Sequence, residues 1–160
     1  MRQTAYAERR VLGSAFTRGG TDEIDGGMEV AAPQPPAAPI RVLVVDDSAV
    51  FIEALRRLLD QEAGLEIVAE AFSAVEAIAK VARLHPDLVL TDVDMPGMGG
   101  LDLVRQLKDG ARPPRVIVFS IYPEYEKYAR SIGADGFVAK GEIGRVLRPL
   151  VHDLFAARRK

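Results

Sequence analysis

The chain has 160 residues, 48% of them hydrophobic and 28% charged, with a formal net charge of -2 at pH 7. This is ordinary globular composition, enough for one domain with a sizeable core, and it gives no reason to expect a nucleic acid or another polyanion as partner. The absence of cysteine excludes disulfides, thiol catalysis and cysteine metal sites.

No apolar stretch approaches the length of a membrane span. Arg2, Arg9 and Arg10 are not followed by the continuous apolar segment of a secretory signal. The expectation is a cytoplasmic protein without membrane association.

Residues 1–39 differ from the rest. They contain Gly19-Gly20, Gly26-Gly27 and the Pro/Ala-rich run from Ala31 to Pro39. Proline donates no backbone hydrogen bond and restricts the residue before it, so this run reads as an extended linker behind a disordered tail. Met28 stands just before it and offers a second translation start. An over-extended reading frame and a real tail both fit, and intact mass of the native protein separates them.

From Ile40 onward strand and helix signals alternate. Strands are expected near 41–45, 65–70, 87–91, 115–119 and 136–139, as short apolar runs suited to a sheet covered on both faces. The first helix carries Val50, Phe51, Ala54, Leu55, Leu58 and Leu59 on one face. In the second, Ser73 and Glu76 form a capping box ahead of Val75, Ile78, Ala79 and Ala82. Leu101, Val104 and Leu107 mark the third. Pro123 opens the fourth and Gly133 ends it. Ile143, Val146, Leu147, Leu150, Val151 and Leu154 mark the fifth, in which Pro149 should kink the helix or delay its start. Arg158-Arg159-Lys160 reads as a basic, solvated end.

Alternating strands and helices imply right-handed crossovers and a doubly wound α/β fold. The flavodoxin-like order is 2-1-3-4-5, with five parallel strands and five helices. Ligands bind such sheets at the carboxyl ends of the strands, near the switch point between the first and third. Asp46 and Asp47 end the first apolar run, Asp92 the third, Ser120 the fourth and Lys140 the fifth. Three carboxylates, a hydroxyl and an ammonium group then converge at one edge.

Such carboxylates repel and should titrate as a coupled group with at least one raised pKa unless a cation relieves them. Magnesium suits the set, since it takes oxygen ligands, commonly one or two carboxylates with phosphate oxygens. Asp47 and Asp92 suit direct ligation, with Asp46 acting directly or through water. An aspartate can also attack phosphorus to form an acyl phosphate. Lys140 would balance the phosphoryl charge and Ser120 would donate a hydrogen bond to it. Each residue alone has a structural explanation; for Asp47 it is a helix cap. The joint placement at four strand tips outweighs those explanations.

The segments Val42-Leu43-Val44-Val45-Asp46-Asp47-Ser48, Asp92-Val93-Asp94-Met95-Pro96-Gly97-Met98-Gly99-Gly100, Ser120, and Gly133 through Lys140 together resemble the receiver domain of bacterial two-component response regulators. The resemblance spans 40–157 and is most similar to receivers that precede a helix-turn-helix output domain. It implies that Asp92 is the phospho-acceptor, served by a histidine kinase or phosphotransfer protein. It implies that Asp46, Asp47, Asp92 and the backbone carbonyl of Asp94 bind magnesium. Ser120 and Phe137 would be the switch residues and Lys140 the phosphate-binding lysine. Departures are Gly99 where the family often has aspartate, Gly141 where a cis proline often follows the lysine, and Ile121 where a small residue is usual. Asp94, Ile121 and Tyr122 would set the phosphoryl lifetime.

Only a few residues follow 157, so the expectation is a stand-alone, non-enzymatic receiver that acts on a downstream protein effector and not directly on nucleic acid. The helix 4 face, with Tyr125 and Tyr128, offers a homodimer surface. Two other classes compete. One is a phosphorylation-independent interaction module of the same fold. The other is a haloacid-dehalogenase-type phosphatase, suggested by Asp92-Val93-Asp94 but lacking that family's cap elements. An EF-hand is rejected, because Leu103 stands where the closing glutamate belongs. His85 and His152 read as structural or exposed.

Overall fold

The computed structural model describes residues 37–159, so the expectations for the tail, most of the linker and Met28 lie outside the described residues. Five strands form one parallel sheet: β1 (Ile40–Val45), β2 (Leu65–Ala71), β3 (Leu88–Asp92), β4 (Arg115–Ser120) and β5 (Gly136–Ala139). Their order is β2-β1-β3-β4-β5, the flavodoxin-like arrangement. Five α-helices connect and cover them: α1 (Ala49–Asp60), α2 (Ala74–Leu84), α3 (Gly100–Lys108), α4 (Tyr125–Ser131) and α5 (Ile143–Leu154). Strand boundaries match expectation to within a residue or so.

Alternation along each strand divides the core in two. Val42, Val44, Leu88, Leu90, Ile117, Phe119 and Val138 face a layer made by Ile52, Leu55 and Leu59 of α1 with Ile143, Leu147 and Val151 of α5. Leu43, Val45, Val89, Val116, Val118 and Phe137 face the other layer, built by α2, α3 and α4. Burying one such side chain fully is worth about 1.5–3 kcal/mol relative to exposing it. The strands are apolar on both sides for this reason. Their tips, where polar residues begin, emerge together at one edge.

Several helix expectations need correction. On α1 the core face is Ile52, Leu55 and Leu59, with Phe51 and Leu58 partly buried. Val50 is 82% exposed and Ala54 is also exposed, so both lie off the face that carries Ile52, Leu55 and Leu59. On α2 the buried residues are Ala74 and Ala77, flanked by Ile78 and Val81, while Val75, Ala79 and Ala82 face solvent. Small alanines let either face mimic the core face in sequence. The capping box forms in a shifted version. Ser73 Oγ accepts from Glu76 N–H at 3.1 Å, and Glu76 Oε2 accepts from Phe72 N–H at 3.1 Å.

α4 begins at Tyr125, two residues after Pro123, since 122–126 form tight turns with Tyr125 N–H on Tyr122 and Glu126 N–H on Pro123. Gly133, with φ of 106°, follows its end in the left-handed conformation. Pro149 neither breaks nor delays α5. It lies inside the helix on the exposed face, where water can satisfy the Arg145 carbonyl that loses its donor. The basic end is more ordered than expected: Ala156–Arg159 form a turn, and Arg158 Nη2 bonds Asp87 Oδ1 at 2.8 Å.

Candidate functional site

β1 ends in Val45 and the chain turns at once into α1. Ser48 caps that helix by accepting from Phe51 N–H at 3.3 Å. The cap is therefore Ser48, which corrects the capping explanation of Asp47 and leaves the Asp47 carboxylate exposed at the sheet edge. Asp46 is 1% exposed. One of its oxygens accepts from Ser48 N–H at 2.8 Å, the other from Lys140 Nζ at 3.1 Å.

Asp92 ends β3 and is 4% exposed. Its Oδ1 lies 3.2 Å from Lys140 Nζ. Carboxylate oxygens of Asp46, Asp47 and Asp92 all lie within 4.8 Å of one another. The adjacent strands β1 and β3 thus bring the expected triad together, and Lys140 at the end of β5 spans two of its members.

Electrostatics follow from that geometry. Burial pushes the Asp92 carboxyl above its ordinary value, the Asp46 charge adds to this, and Lys140 offsets it only in part. For Lys140, burial alone would lower the pKa. The hydrogen bonds and charges of Asp46 and Asp92 outweigh burial and hold its pKa above the ordinary lysine value. Three carboxylates face one ammonium, which leaves negative charge for a divalent cation to neutralise. The donors are hard oxygens, the kind magnesium prefers, and receiver domains generally bind magnesium through such acidic residues.

Ser120 at the end of β4 is fully buried, and its Oγ accepts from Tyr122 N–H at 3.0 Å. Its partner therefore lies in the β4–α4 loop rather than in the acidic triad. Phe137 is buried on β5 opposite Val118, in the layer that includes Ala129 of α4. Ile121 is 64% exposed, and Tyr122 is exposed with its ring edge-on to Tyr125. Asp94 and Tyr128 are exposed, and the Arg105 guanidinium lies 5.2 Å from the Tyr128 ring centroid. His85 and His152 are exposed; His85 caps α2 with φ of 47°.

Two features escape a reading of the sequence. Lys140 Nζ lies 4.2 Å from the centroid of the Phe51 ring. Gly100, in sequence only the last residue of the motif that begins at Asp92, packs so closely on β3 that an added Cβ would stand 1.8 Å from the Asp92 carbonyl oxygen. A glycine directly after a loop that follows a strand-end aspartate is the signal that could have found that contact.

Fold and site define a flavodoxin-like α/β domain with an acidic centre at the topological switch point. The family model for the response regulator receiver domain matches residues 42–151, and the chain belongs to that family. It is 46% identical over 92 residues to the protein-glutamate methylesterase/protein-glutamine glutaminase 5 of Myxococcus xanthus (strain DK1622), covering 58% of this chain and 26% of that protein.

The chain spans between 26% and 36% of the lengths of such curated relatives. A two-component response regulator of the LuxR family from Aurantimonas sp. SI85-9A1 superposes with a TM-score of 0.70 at 29% identity, covering 76% of this chain and 88% of that one. The CheX-CheY-BeF3-Mg+2 complex from Borrelia burgdorferi gives 0.68 at 27% identity, covering 74% and 90%. Methylesterase relatives thus stand beside a LuxR-family response regulator among the proteins this chain is similar to. No helix among the described residues is long and apolar enough to cross a membrane.

Proposed function

We propose that this receiver accepts a phosphoryl group on Asp92 from the phosphohistidine of a histidine kinase or phosphotransfer protein, and so switches a protein-binding surface. The observation that carries the reading is Lys140 Nζ at 3.1 and 3.2 Å from the two buried carboxylates at the sheet edge. An Asp92 oxygen bonds to phosphorus as the phosphorus–nitrogen bond of the donor breaks. The electron pair leaves with the imidazole nitrogen, which takes up a proton. Lys140 moves from the Asp92 carboxylate to an oxygen of the new acyl phosphate. Asp46, Asp47, Asp92 and the Asp94 carbonyl hold magnesium, which supplies charge neutralisation when bound.

Ser120 releases Tyr122 N–H and turns toward the phosphoryl group, with Phe137 packing inward behind it. That rearrangement biases the surface over α4, β5 and α5 toward a downstream protein effector, or toward a second copy of the chain. Asp94, Ile121 and Tyr122 govern access of water to the acyl phosphate. Catalysis in this reading is limited to the protein's own phosphorylation and dephosphorylation. The receiver acts in the cytoplasm, and it acts this way whether or not further domains are joined to it. The family assignment favours this reading over the phosphatase.

Intact-mass spectrometry after incubation with acetyl phosphate and magnesium tests the proposal. One added phosphoryl group is expected, absent from Asp92→Asn and absent without magnesium. No adduct from acetyl phosphate or from a phosphorylated histidine kinase would instead leave a phosphorylation-independent interaction module.

A further inference from the structure

We infer that Phe51 is a positioning residue for Lys140, holding the ammonium over the acidic site through the face of its ring. The inference rests on the reading of Asp92 as phospho-acceptor. Three observations carry it. Lys140 Nζ lies 4.2 Å from the Phe51 ring centroid, well inside the range of a cation–π contact. The Phe51 ring is itself fixed from behind, edge-on to Phe119 with centroids 6.0 Å apart and planes at 65°. Phe119 is fully buried, so that support belongs to the core. The main chain after Lys140 forms a short 3-10 turn, Lys140–Glu142, that leads into α5. Gly141 is exposed, and nothing lies within 4 Å of where a side chain would start.

The Lys140 ammonium meets three side chains: Asp46, Asp92 and Phe51. The two carboxylates are the groups whose charge environment changes during phosphoryl transfer. When Lys140 leaves Asp92 for a phosphoryl oxygen, its bond to that carboxylate is given up. The ring carries no titrating charge and competes for no cation, so it constrains the ammonium before and after transfer alike. Ser48 sets where the ring stands, since its cap bond to Phe51 N–H fixes the first turn of α1 beside Asp46 and Asp47. The same helix turn thus orders the carboxylates and the cation that faces them.

The test uses the full chain with Phe51→Leu, which keeps apolar volume and loses the ring, and Phe51→Tyr, which keeps the ring. Initial rates of Asp92 phosphorylation by acetyl phosphate with magnesium are read by intact mass. Phe51→Leu is expected to slow uptake by about 2- to 30-fold, the span of an exposed to a desolvated cation–π contact, while Phe51→Tyr stays near wild type. A wild-type rate in Phe51→Leu, or equal slowing in both variants, overturns the inference.

Proton NMR of the magnesium-free, unphosphorylated protein gives an independent reading. Ring current should shift the Lys140 ε-methylene upfield in wild type and Phe51→Tyr, and the shift should vanish in Phe51→Leu. Its absence from wild type also overturns the inference. If wild type shows the shift but takes up no phosphoryl group, the positioning contact stands and the phospho-acceptor reading fails.

Discussion

Lys140 and Asp46 are 94 residues apart in the chain, yet Lys140 Nζ donates to Asp46 Oδ2 at 3.1 Å across the carboxyl edge of the sheet. The same nitrogen lies 3.2 Å from Asp92 Oδ1. One cation thus serves two buried carboxylates that repel each other. Changes on the two sides of this arrangement should have opposite signs. In chelator at pH 7, Lys140→Ala should destabilise the fold by about 2 kcal/mol, because two buried charges lose their partner. Asp92→Asn should stabilise it under the same conditions, because burial and Asp46 both disfavour the Asp92 charge. Magnesium should stabilise wild type more than Asp92→Asn. Urea melts of the three proteins with and without magnesium check all three signs.

At the opposite edge, Asp135 fastens β4 to the start of β5. Its oxygens accept from Lys108 Nζ at 2.5 Å, Val116 N–H at 2.8 Å and Arg115 Nη1 at 2.9 Å. Burial alone would raise the Asp135 pKa, but these three donors outweigh it and hold the value below the ordinary 3.8. Because the folded value is the lower one, the carboxylate contributes stability above the unfolded pKa and loses it as pH falls through the folded one. Asp135→Asn should cost about 2 kcal/mol at pH 7, a figure kept modest because Arg115 is half exposed. The deficit should shrink below about pH 4. Denaturant midpoints of both proteins from pH 7 down to pH 3 measure it, and a constant difference would contradict it.

Gly100 admits no side chain. A Cβ there would stand 1.8 Å from the Asp92 carbonyl oxygen and 2.8 Å from its carbonyl carbon, both main-chain atoms that cannot swing aside. Gly100→Ala must displace the end of β3 or the start of α3, at a cost of about 3 kcal/mol or more. Phosphoryl uptake should fall as well, since Asp92 is carried on the displaced segment. Equilibrium unfolding gives the first quantity and intact mass the second.

Ile121 follows the proposed switch hydroxyl and is mostly exposed. If its side chain screens the acyl phosphate from water, Ile121→Ala should shorten the phosphoryl lifetime severalfold after the donor is removed. An unchanged decay would assign that lifetime to Asp94, Tyr122 or neither.

The sheet and its acidic edge were legible because both depend on short-range pattern. Apolar runs such as Val42–Val45 and Val116–Phe119 have few alternatives to a strand covered on both faces, and the next residue must then emerge at the edge. Helix faces were less legible. Val50 and Val75 look like core residues by spacing, but each lies on the solvent side of its helix, a property of tertiary placement. Pro149 is tolerated within α5 because it lies on the exposed face, where water can take up the carbonyl it leaves without a donor. The contact of Phe51 with Lys140 and the triple anchoring of Asp135 join segments far apart in sequence, with no local signal in either one.

Asp87 acts as a joint between the two ends of the domain. Its Oδ2 accepts from Arg41 N–H at 2.9 Å, at the start of β1, and its Oδ1 takes Arg158, beyond α5. One side chain therefore moors the incoming and the outgoing chain at the amino edge of the sheet, a full strand length from Asp92. A tag or neighbouring domain grafted beyond Arg158 starts from the far side of the molecule from the acidic edge. In the proposed function the domain is thus a socketed module, wired at its base and read at its crown.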